Sequence, residues 1–430
     1  MEYLKQIWQT PDLRKRILFT LGILFIFRLA AHITIPGVDA SGIKAMFEQN
    51  SLLGVFSALT GGSMEKFSLV LMGLAPYINA SIIIQLMTVV IPHLEQLSNE
   101  GEEGRKKINK YTRWLTVPLA FIQSYGMILL LNNSISASGG DPLLDTSSFL
   151  SLLPVMISVT AGTVFTMWLG ELISEKGIGN GISLLIFAGI VSAIPPIFGR
   201  ILGISTYDTS KLPYFIGFCF FTLFLLVVIT LFTEAVRNIS ITYATRGSRA
   251  QKSFMPLRLN QAGMIPIIFS IAIITFPSLL AQLMSGAKSE TLKDISSWIL
   301  ANLSTANPSY LYIFIYFILV WGFSYFYVSI TFKPDQIAES IQKRGGFVPG
   351  IRPGTPTADY FSKVSTNLTF WGGLFLSMVA ILPLLFTKYT PLQSSDLIIS
   401  GSGLIIVVGV VLELIRQINA RLVSHDYDKI

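Results

Sequence analysis

Charged residues, cysteines and histidines are scarce in this sequence. Only 13% of its 430 residues are Asp, Glu, Lys or Arg, whereas about 25% is usual for a soluble domain. The single cysteine, Cys219, excludes a disulfide or a cysteine-based metal site within one chain. The three histidines, His32, His93 and His425, lie far apart and have no metal-binding spacing. We therefore expect neither a metal site nor another cofactor.

Long apolar segments take up most of the chain instead. Hydrophobic residues make up 52% of the sequence, and its mean hydropathy is +0.62. A transmembrane helix needs about 20 mostly apolar residues. Ten segments meet this requirement, at residues 17–36, 68–92, 114–132, 149–172, 181–199, 212–233, 261–284, 310–331, 367–387 and 398–418. The sequence therefore predicts an all-α polytopic membrane protein with ten transmembrane helices.

The 31 lysines and arginines indicate how these spans are oriented. Most of them lie in the N-terminal segment, the C-terminal segment and alternate loops. Cytoplasmic loops retain positive charge during insertion, so we predict that both termini are cytoplasmic. The net charge of +7 is then concentrated on one face, where anionic lipid or an acidic partner would be attracted.

Ten spans with both termini on one side can be divided into two sets of five. An odd number of spans per set inverts the second set relative to the first, as in an inverted repeat. We place the N-terminal half at residues 1–200 and the C-terminal half at residues 201–430. The two halves show no clear residue-level similarity, so topology alone predicts the repeat.

One apolar stretch is too short to cross a membrane. Residues 52–60 are apolar, but they cannot span about 30 Å of hydrocarbon, and Gly61 and Gly62 follow them. We expect residues 52–64 to form a short helix that folds back into the protein from the outer side, because irregular backbone at that depth must be buried or line a cavity. An amphipathic helix on the membrane surface is the alternative.

Two predicted cytoplasmic loops, residues 234–260 and 332–366, are long enough to have structure of their own. In the first, residues 239–243 alternate apolar and polar side chains, and residues 252–259 can return as a second strand after a basic turn. This pattern predicts a basic hairpin that projects into the cytoplasm.

The second loop contains helix signals on both sides of a stiff tip. Residues 336–344 are predicted to form a helix that Gly345 and Gly346 end, and Thr355 is predicted to be the N-cap of the next helix. Between them the stretch FVPGIRPG exposes Arg352.

Ionisable residues inside the spans are almost limited to Arg28, which we expect to face the helix bundle and pair. Ion-coupled transporters usually place carboxylates at the membrane midplane. Here Glu171, Glu234 and Glu413 all lie near the cytoplasmic ends of spans. The sequence therefore shows neither coupling chemistry nor a catalytic constellation, and we predict that the protein is not an enzyme.

The glycine-rich stretch EKGIGNGIS, residues 175–183, superficially resembles a phosphate-binding loop. No strand precedes it, and no acidic residue follows about 20 positions later, as a dinucleotide-binding fingerprint requires. We interpret its glycines as permitting a tight turn between two spans and close packing where the second span begins.

Five motifs, in order along the chain, resemble the SecY family of channels in the bacterial Sec translocon. They are PGVDA (36–40), PYINASIIIQLMTVV (76–90), EGEEGRKKINKYTR (100–113), MWLGELISEKGIGNGISLLIFAGIV (167–191) and GGFVPGIRPGTPTADY (345–360). This resemblance extends over nearly the whole chain. It implies two five-helix halves, hinged between spans five and six, around a central hourglass pore. A lateral gate would lie where spans two and three face spans seven and eight.

The resemblance also assigns side chains to the parts of such a channel. The pore ring would consist of Ile78, Ile82, Ile182, Ile186, Ile268 and Ile406. The plug, the short helix that closes the outer funnel, would include Leu52, Leu53, Val55, Phe56, Leu59 and Met64. Polar contacts at the lateral gate would come from Gln85, Gln123 and Thr275. The residues alone leave two interpretations of these aliphatic side chains. They are ordinary core or lipid-facing residues, or they form a hydrophobic constriction that gates by dewetting.

The family's activity and partners follow from the same resemblance. It implies a passive channel that moves unfolded secretory polypeptides across the cytoplasmic membrane and releases transmembrane segments sideways into lipid. SecE and SecG would be partner subunits, signal sequences and nascent polypeptides would be the cargo, and the SecA motor ATPase or the ribosome would dock on the two loops. The docking residues would be Arg352, with Arg246, Arg249, Lys252 and Arg258 in support. The alternative is a secondary transporter with inverted repeats for an apolar solute.

Overall fold

The computed structural model of the chain describes residues 2–35, 67–137, 149–207, 212–243, 251–285, 289–303, 308–390 and 400–427. In these segments the chain is mainly helical. The sheet found in these segments lies outside the predicted spans, in the two long loops predicted to be cytoplasmic.

Seven helices precede residue 208 in the described segments. They are α1 (Glu2–Gln9), α2 (Pro11–Ala30), α3 (Ala75–Val90), α4 (Pro92–Asn99), α5 (Glu102–Ala137), α6 (Phe149–Lys176) and α7 (Gly181–Tyr207). Helices α3 and α4 meet at an angle of 103°. The bend occurs at Pro92, which cannot donate a backbone hydrogen bond, so the chain turns where α3 would otherwise continue.

The described residues after position 208 contain seven helices and three strands. They are α8 (Leu212–Glu234), β1 (Val236–Tyr243), β2 (Gln251–Arg258), α9 (Ile265–Ser285), α10 (Glu290–Asn302), α11 (Tyr310–Thr331), α12 (Pro334–Lys343), β3 (Gly346–Phe347), α13 (Thr355–Tyr389) and α14 (Gly401–Tyr427). Each of the ten predicted spans overlaps one helix: α2, α3, α5 to α9, α11, α13 and α14.

Five helical segments in the described parts of the chain are by themselves long and apolar enough to cross a membrane. They are Ser151–Lys176, Pro213–Glu234, Tyr310–Lys343, Thr355–Phe386 and Gly401–Val423, and the bent pair α3 and α4 makes a sixth. Two more predicted spans have shorter apolar helices, Gly181–Pro195 and Ile265–Ser278. Helix α2 carries charges at both ends, which lowers its apolar length.

The second predicted span becomes helical later than expected. Residues 67–74 form turns, and α3 begins only at Ala75. Phe67 and Gly73 have positive φ angles of 44° and 50°, which a helix does not accept. Thr34 and Ser68 instead form an antiparallel bridge, in which Ile35 N donates to Phe67 O at 3.0 Å.

The hairpin predicted in the loop of residues 234–260 is confirmed. Strand β1 pairs antiparallel with β2, with Val236 opposite Arg258 and Tyr243 opposite Gln251. The second loop adds β3 to the other edge of β1, so the strand order is β2-β1-β3. Ile239, Ile241 and Leu257 bury one face of this sheet against α12 and α13. The two loops therefore form one structural unit.

The helix predicted in the second loop is also present, with a difference at the start of the next one. Helix α12 ends before Gly345, which has a φ of +71° and so fits the predicted glycine stop. Helix α13 has Gly354, with a φ of +98°, at its N-cap position, and Thr355 is its first helical residue. The prediction that Thr355 is the N-cap was therefore wrong by one position.

The three largest apolar cores of the described spans show how the membrane-spanning helices pack. One includes Leu71, Ile128 and Val159, and all of its residues lie between positions 35 and 159. A second includes Ile229, Val320 and Leu376, and all of its residues lie after position 200. The third joins α2, α6 and α7 to α14 and contains residues from both parts of the sequence.

Candidate pore and docking surfaces

Five of the six isoleucines predicted for the pore ring belong to the third core. Ile406 is buried there, and Ile78, Ile182, Ile186 and Ile268 pack against it while partly exposed. They come from four helices: α3, α7, α9 and α14. Side chains that are more than 300 positions apart in sequence are thus brought to one apolar centre.

Ile82 lies one helical turn after Ile78 on α3. It is buried, with 4% of its surface exposed, but it does not belong to the same cluster as the other five. Ile82 and Ile78 therefore lie on the same side of α3, and Ile82 is buried outside that cluster.

The close approach of α6 and α7 fixes Ile182 and Ile186 in this centre. A Cβ atom at Gly181 would lie 1.8 Å from the carbonyl oxygen of Gly170, so only glycine permits this packing. Ile182 Cδ1 would lie 3.0 Å from a Cβ at Gly170. The interpretation of the glycine-rich stretch as a tightly packed turn therefore agrees with the observed geometry.

Two hydrogen bonds, which the sequence did not predict, tie this turn to the first and last spans. The backbone N–H of Ile178 donates to Thr20 Oγ1 at 3.2 Å, and that of Gly179 donates to Gln417 Oε1 at 2.9 Å. The glycine pattern signals the turn itself, but nothing in the sequence identifies Thr20 and Gln417 as its partners.

The helices assigned to the lateral gate are in contact. Helix α9 packs against both α3 and α5. Gln85, Gln123 and Thr275 are each partly buried on these three helices. The Thr275 hydroxyl is close to two carbonyl oxygens of its own helix, those of Ile271 at 2.7 Å and Ala272 at 3.2 Å. Its proton is therefore used within α9.

The predicted plug residues, 52–64, lie outside the described residues, as do the docking candidates Arg246 and Arg249. The two segments that flank residues 36–66 are described, and they pair with each other through the antiparallel bridge between Thr34 and Ser68. Thr166 Oγ1 of α6 lies 3.2 Å from Gly73 O in the second of these flanks, and it also lies 3.0 Å and 2.9 Å from Gly162 O and Thr163 O of its own helix.

Arg352 is exposed at a turn whose backbone is fixed by neighbouring residues. Gly350 and Gly354 on either side have φ angles of +84° and +98°, and Thr357 Oγ1 donates to Arg352 O at 2.8 Å. An exposed guanidinium on such a support can make a bidentate contact with a carboxylate or phosphate.

Lys252 and Arg258 lie at opposite ends of β2. Lys252 is exposed, whereas Arg258 is close to the charges of Glu234, Glu413 and Arg416. Partial burial is the main cause that lowers the pKa of the Arg258 guanidinium, and the like charge of Arg416 lowers it further. The carboxylates of Glu413 and Glu234 raise it. Arg416 pairs with Glu234 at 2.6 Å. Arg258 is therefore coupled to a charged cluster at the base of the hairpin.

No group of three or more His, Cys, Asp or Glu residues that could hold a metal ion is found among the described residues.

Comparisons with known proteins identify the family. The model of the SecY family matches residues 68–415 of this chain. The protein translocase subunit SecY of Streptomyces scabiei is 38% identical over 436 residues, which cover 98% of this chain and 97% of that protein. The SecY subunit of Corynebacterium glutamicum is 38% identical over 445 residues, which cover 100% and 99%.

Solved structures with the same fold include a protein-conducting channel, a SecY protein described by the role of its plug domain, and canine Sec61 in a ribosome-channel complex. The first two match with a TM-score of 0.68 and the third with 0.65. Each is 18% identical, and each match covers 96% of this chain and 93% of the other. The predicted fold class, an all-α membrane protein with ten spans in two halves around a central pore, is confirmed. The chain belongs to the SecY family.

Proposed function

We propose that this chain forms a passive pore through which unfolded secretory polypeptides cross the cytoplasmic membrane. The observation that carries the proposal is the meeting of isoleucines from α3, α7, α9 and α14 in one apolar core. Aliphatic side chains bind no particular sequence, so they can surround many different polypeptides without holding any of them.

As a SecY-family member, the chain is a subunit of a protein-conducting channel and is not an enzyme. The alternative, a secondary transporter for an apolar solute, has no support in these comparisons.

The six isoleucines act as the seal of the resting pore. A narrow apolar constriction resists water and ions because wetting it is unfavourable. Residues 52–64 form the plug on the outer side of this seal. The short apolar sequence before Gly61 supports that assignment, as does the similarity to a SecY structure described by its plug domain.

Contacts of α9 with α3 and α5 form the lateral gate, where signal sequences enter and transmembrane segments leave into lipid. Gln85, Gln123 and Thr275 lie on these helices. Separating α9 from the other two would open a path from the pore to the surrounding lipid.

The three-stranded sheet and the turn around Arg352 form the docking surface for the SecA motor ATPase or the ribosome. The exposed guanidinium of Arg352 supports this role, as do Lys252 and the basic turn at Arg246 and Arg249. Canine Sec61, which has the same fold, is part of a ribosome-channel complex. SecE and SecG complete the membrane complex, and the docked partner supplies the energy.

Residues 1–200 and 201–430 form the two halves of the channel, with both termini in the cytoplasm. Two apolar cores that each draw on one half support this division. The excess of lysine and arginine in the inner loops supports the orientation.

The test is transport of a secretory precursor into proteoliposomes that contain this chain with SecE and SecG. After addition of SecA and ATP, we expect part of the precursor to become protected from external protease. Omission of ATP is the control. If the complex is folded and SecA is bound, but no precursor is protected, the proposed channel function is wrong.

A further inference from the structure

Helix α10 (Glu290–Asn302) connects two spans but is not a span itself. It lies in the chain between α9 and α11 and has 13 residues, too few to cross about 30 Å of hydrocarbon. The three-stranded sheet precedes α9 and follows α11, so α10 is at the opposite end of these two helices. That end is the predicted outer side of the membrane.

Two hydroxyl groups hold α10 along the side of α9. Ser296 Oγ of α10, which is buried, donates to Ala281 O of α9 at 2.6 Å. Ser278 Oγ of α9 donates to Leu303 O, just after the end of α10, at 2.8 Å. Both acceptors are backbone carbonyls, so the two helices are joined through their main chains. Helix α10 therefore lies against the outer part of α9 and does not project away from it.

Helix α10 has an apolar and a polar side. Leu292, Ile295 and Ile299 follow each other at spacings of three and four residues and share one side. Trp298, three residues after Ile295, extends this side away from Ser296. Ile295 and Trp298 are large, yet 50% and 57% of their surfaces are exposed. The other side carries exposed polar residues: Glu290, Lys293, Asp294 and Ser297.

The exposed apolar side of α10 continues the membrane-facing surface of its neighbours. Phe276 and Leu280 of α9 are 56% and 43% exposed, and Phe314 of α11 is 61% exposed. Lipid covers such side chains on membrane spans. Leu280 is next to Ala281, the residue that accepts the hydrogen bond from α10. The apolar side of α10 therefore begins where the lipid-facing surface of α9 reaches its outer end.

The length of α9 gives the depth of α10 in the membrane. Counted from Ile268, Ser278 lies about 15 Å and Ala281 about 20 Å further along the helix, at 1.5 Å per residue. Half of the hydrocarbon thickness is about 15 Å. With the proposed pore ring at the membrane midplane, both contacts of α10 fall at the boundary between hydrocarbon and headgroups. Only this depth depends on the pore proposed above.

Aromatic side chains mark the same level on the neighbouring helices. Ser309 Oγ donates to Asn302 O at 2.5 Å and so brings the last turn of α10 beside the start of α11. Tyr310, the first residue of α11, is 62% exposed, and Lys388 Nζ of α13 lies 3.5 Å from the centre of its ring. Trp and Tyr are enriched where the membrane meets water. Trp298, one turn before Asn302, lies at this level.

We propose that α10 is an interfacial helix whose partner is the lipid of the outer leaflet. Ile295 and Trp298 enter the boundary between headgroups and hydrocarbon, and Lys293 and Asp294 stay on the aqueous side. Amphipathic helices of this kind lie in the plane of the membrane with the apolar face buried by about 5–10 Å. Because hydrogen bonds join α10 to α9, this insertion also fixes the height of α9 in the membrane.

Fluorescence quenching tests the proposal in the complete channel complex, reconstituted into lipid vesicles. In a Cys219→Ser background, the variants Ile295→Cys, Trp298→Cys and Ser297→Cys each carry one bimane fluorophore. Lipids with a spin label near the headgroup quench probes in the interface, and iodide on both sides of the vesicle quenches probes in water. Ser297→Cys is the matched control, because it is adjacent, exposed and on the polar side.

We expect the spin-labelled lipid to quench the probes at positions 295 and 298 several-fold more than the probe at position 297, and iodide to show the reverse order. Equal iodide quenching at the three positions would overturn the proposal, because α10 would then lie in water. Protection of positions 295 and 298 from both quenchers would also overturn it, because a protein surface would then cover this side.

Hydrogen exchange in lipid nanodiscs gives a second measurement. Ile295→Ser combined with Trp298→Ser removes the apolar side but leaves the contact of Ser296 with Ala281 in place. The amides of α10 are expected to exchange several-fold faster, because lipid no longer holds the helix. Ile295→Leu with Trp298→Phe keeps the side apolar and is expected to exchange like the parent protein.

Equal exchange in the two double variants would overturn the anchoring by lipid. Neither measurement requires transport of a precursor, so a failure of the proposed channel function would be seen separately.

Discussion

Gly162 of α6 lies directly against Leu69: a Cβ atom at position 162 would be 1.8 Å from the Leu69 carbonyl oxygen. Leu69 N in turn donates to Ile33 O at 2.8 Å, beside the bridge between Thr34 and Ser68. The absence of a side chain at Gly162 therefore allows α6 to support both chain segments that flank residues 36–66.

Gly162→Val is expected to destabilise the protein, because the added side chain would push α6 away from Leu69. Overpacking of this kind typically lowers the free energy of unfolding by about 1–3 kcal/mol. Thermal unfolding in detergent measures the effect. Gly217→Ala is the control, since a Cβ atom there meets no atom within 4 Å. Equal stability of the two variants would contradict the role of this contact.

Ile82→Asn combined with Ile186→Asn is expected to increase ion leakage through the resting channel several-fold. The amides would hydrate a constriction whose apolar surface otherwise resists water. Proteoliposomes loaded with an ion-sensitive dye measure the leak. Ile82→Leu with Ile186→Leu keeps the apolar surface and serves as the control. Leakage that is the same for both pairs would argue against the assignment of these isoleucines to the pore.

Arg352→Glu is expected to reduce SecA-driven protection of precursor by at least tenfold while the protein remains inserted. The change replaces an exposed guanidinium, held between Gly350 and Gly354, by a charge of opposite sign. Lys363→Glu, an equal change of charge at an exposed position near the start of α13, is the control. If Arg352→Glu transports as well as Lys363→Glu, the docking site lies elsewhere.

Deletion of residues 52–64 is expected to raise the conductance of the resting channel in planar bilayers, because these residues are the proposed plug of the outer funnel. The full-length protein, measured in the same way, is the control. A deletion variant that conducts no more than the full-length protein would favour the amphipathic surface helix.

The described structure contains the predicted hairpin and a helix at each predicted span because both depend on local sequence patterns. A long run of apolar residues enters the lipid, where unpaired backbone N–H and C=O groups are costly. The run therefore forms a helix, because a helix pairs these groups internally. Alternation in residues 239–243 determines a strand with one buried face. The late start of α3 was missed because hydropathy does not register the positive φ angles at Phe67 and Gly73.

The candidate pore depended on more than local pattern. Isoleucines are common in every span, so the residues alone left Ile78 and Ile182 as ordinary core positions. The resemblance to the SecY family singled out six of them. The packing of α3, α7, α9 and α14 is what brings five into one core and leaves Ile82 outside that cluster.

The sequence by itself determined the membrane class, the ten spans and the two structured loops, since hydropathy, charge and strand alternation act over short stretches of chain. Only the tertiary structure decided which distant groups meet. Asn99 reaches Lys333, Gln417 accepts from Gly179, and Arg258 lies in a charged cluster. These contacts follow from helix packing across the whole chain, and an exposed lysine or a single glutamine carries no local sign of its partner.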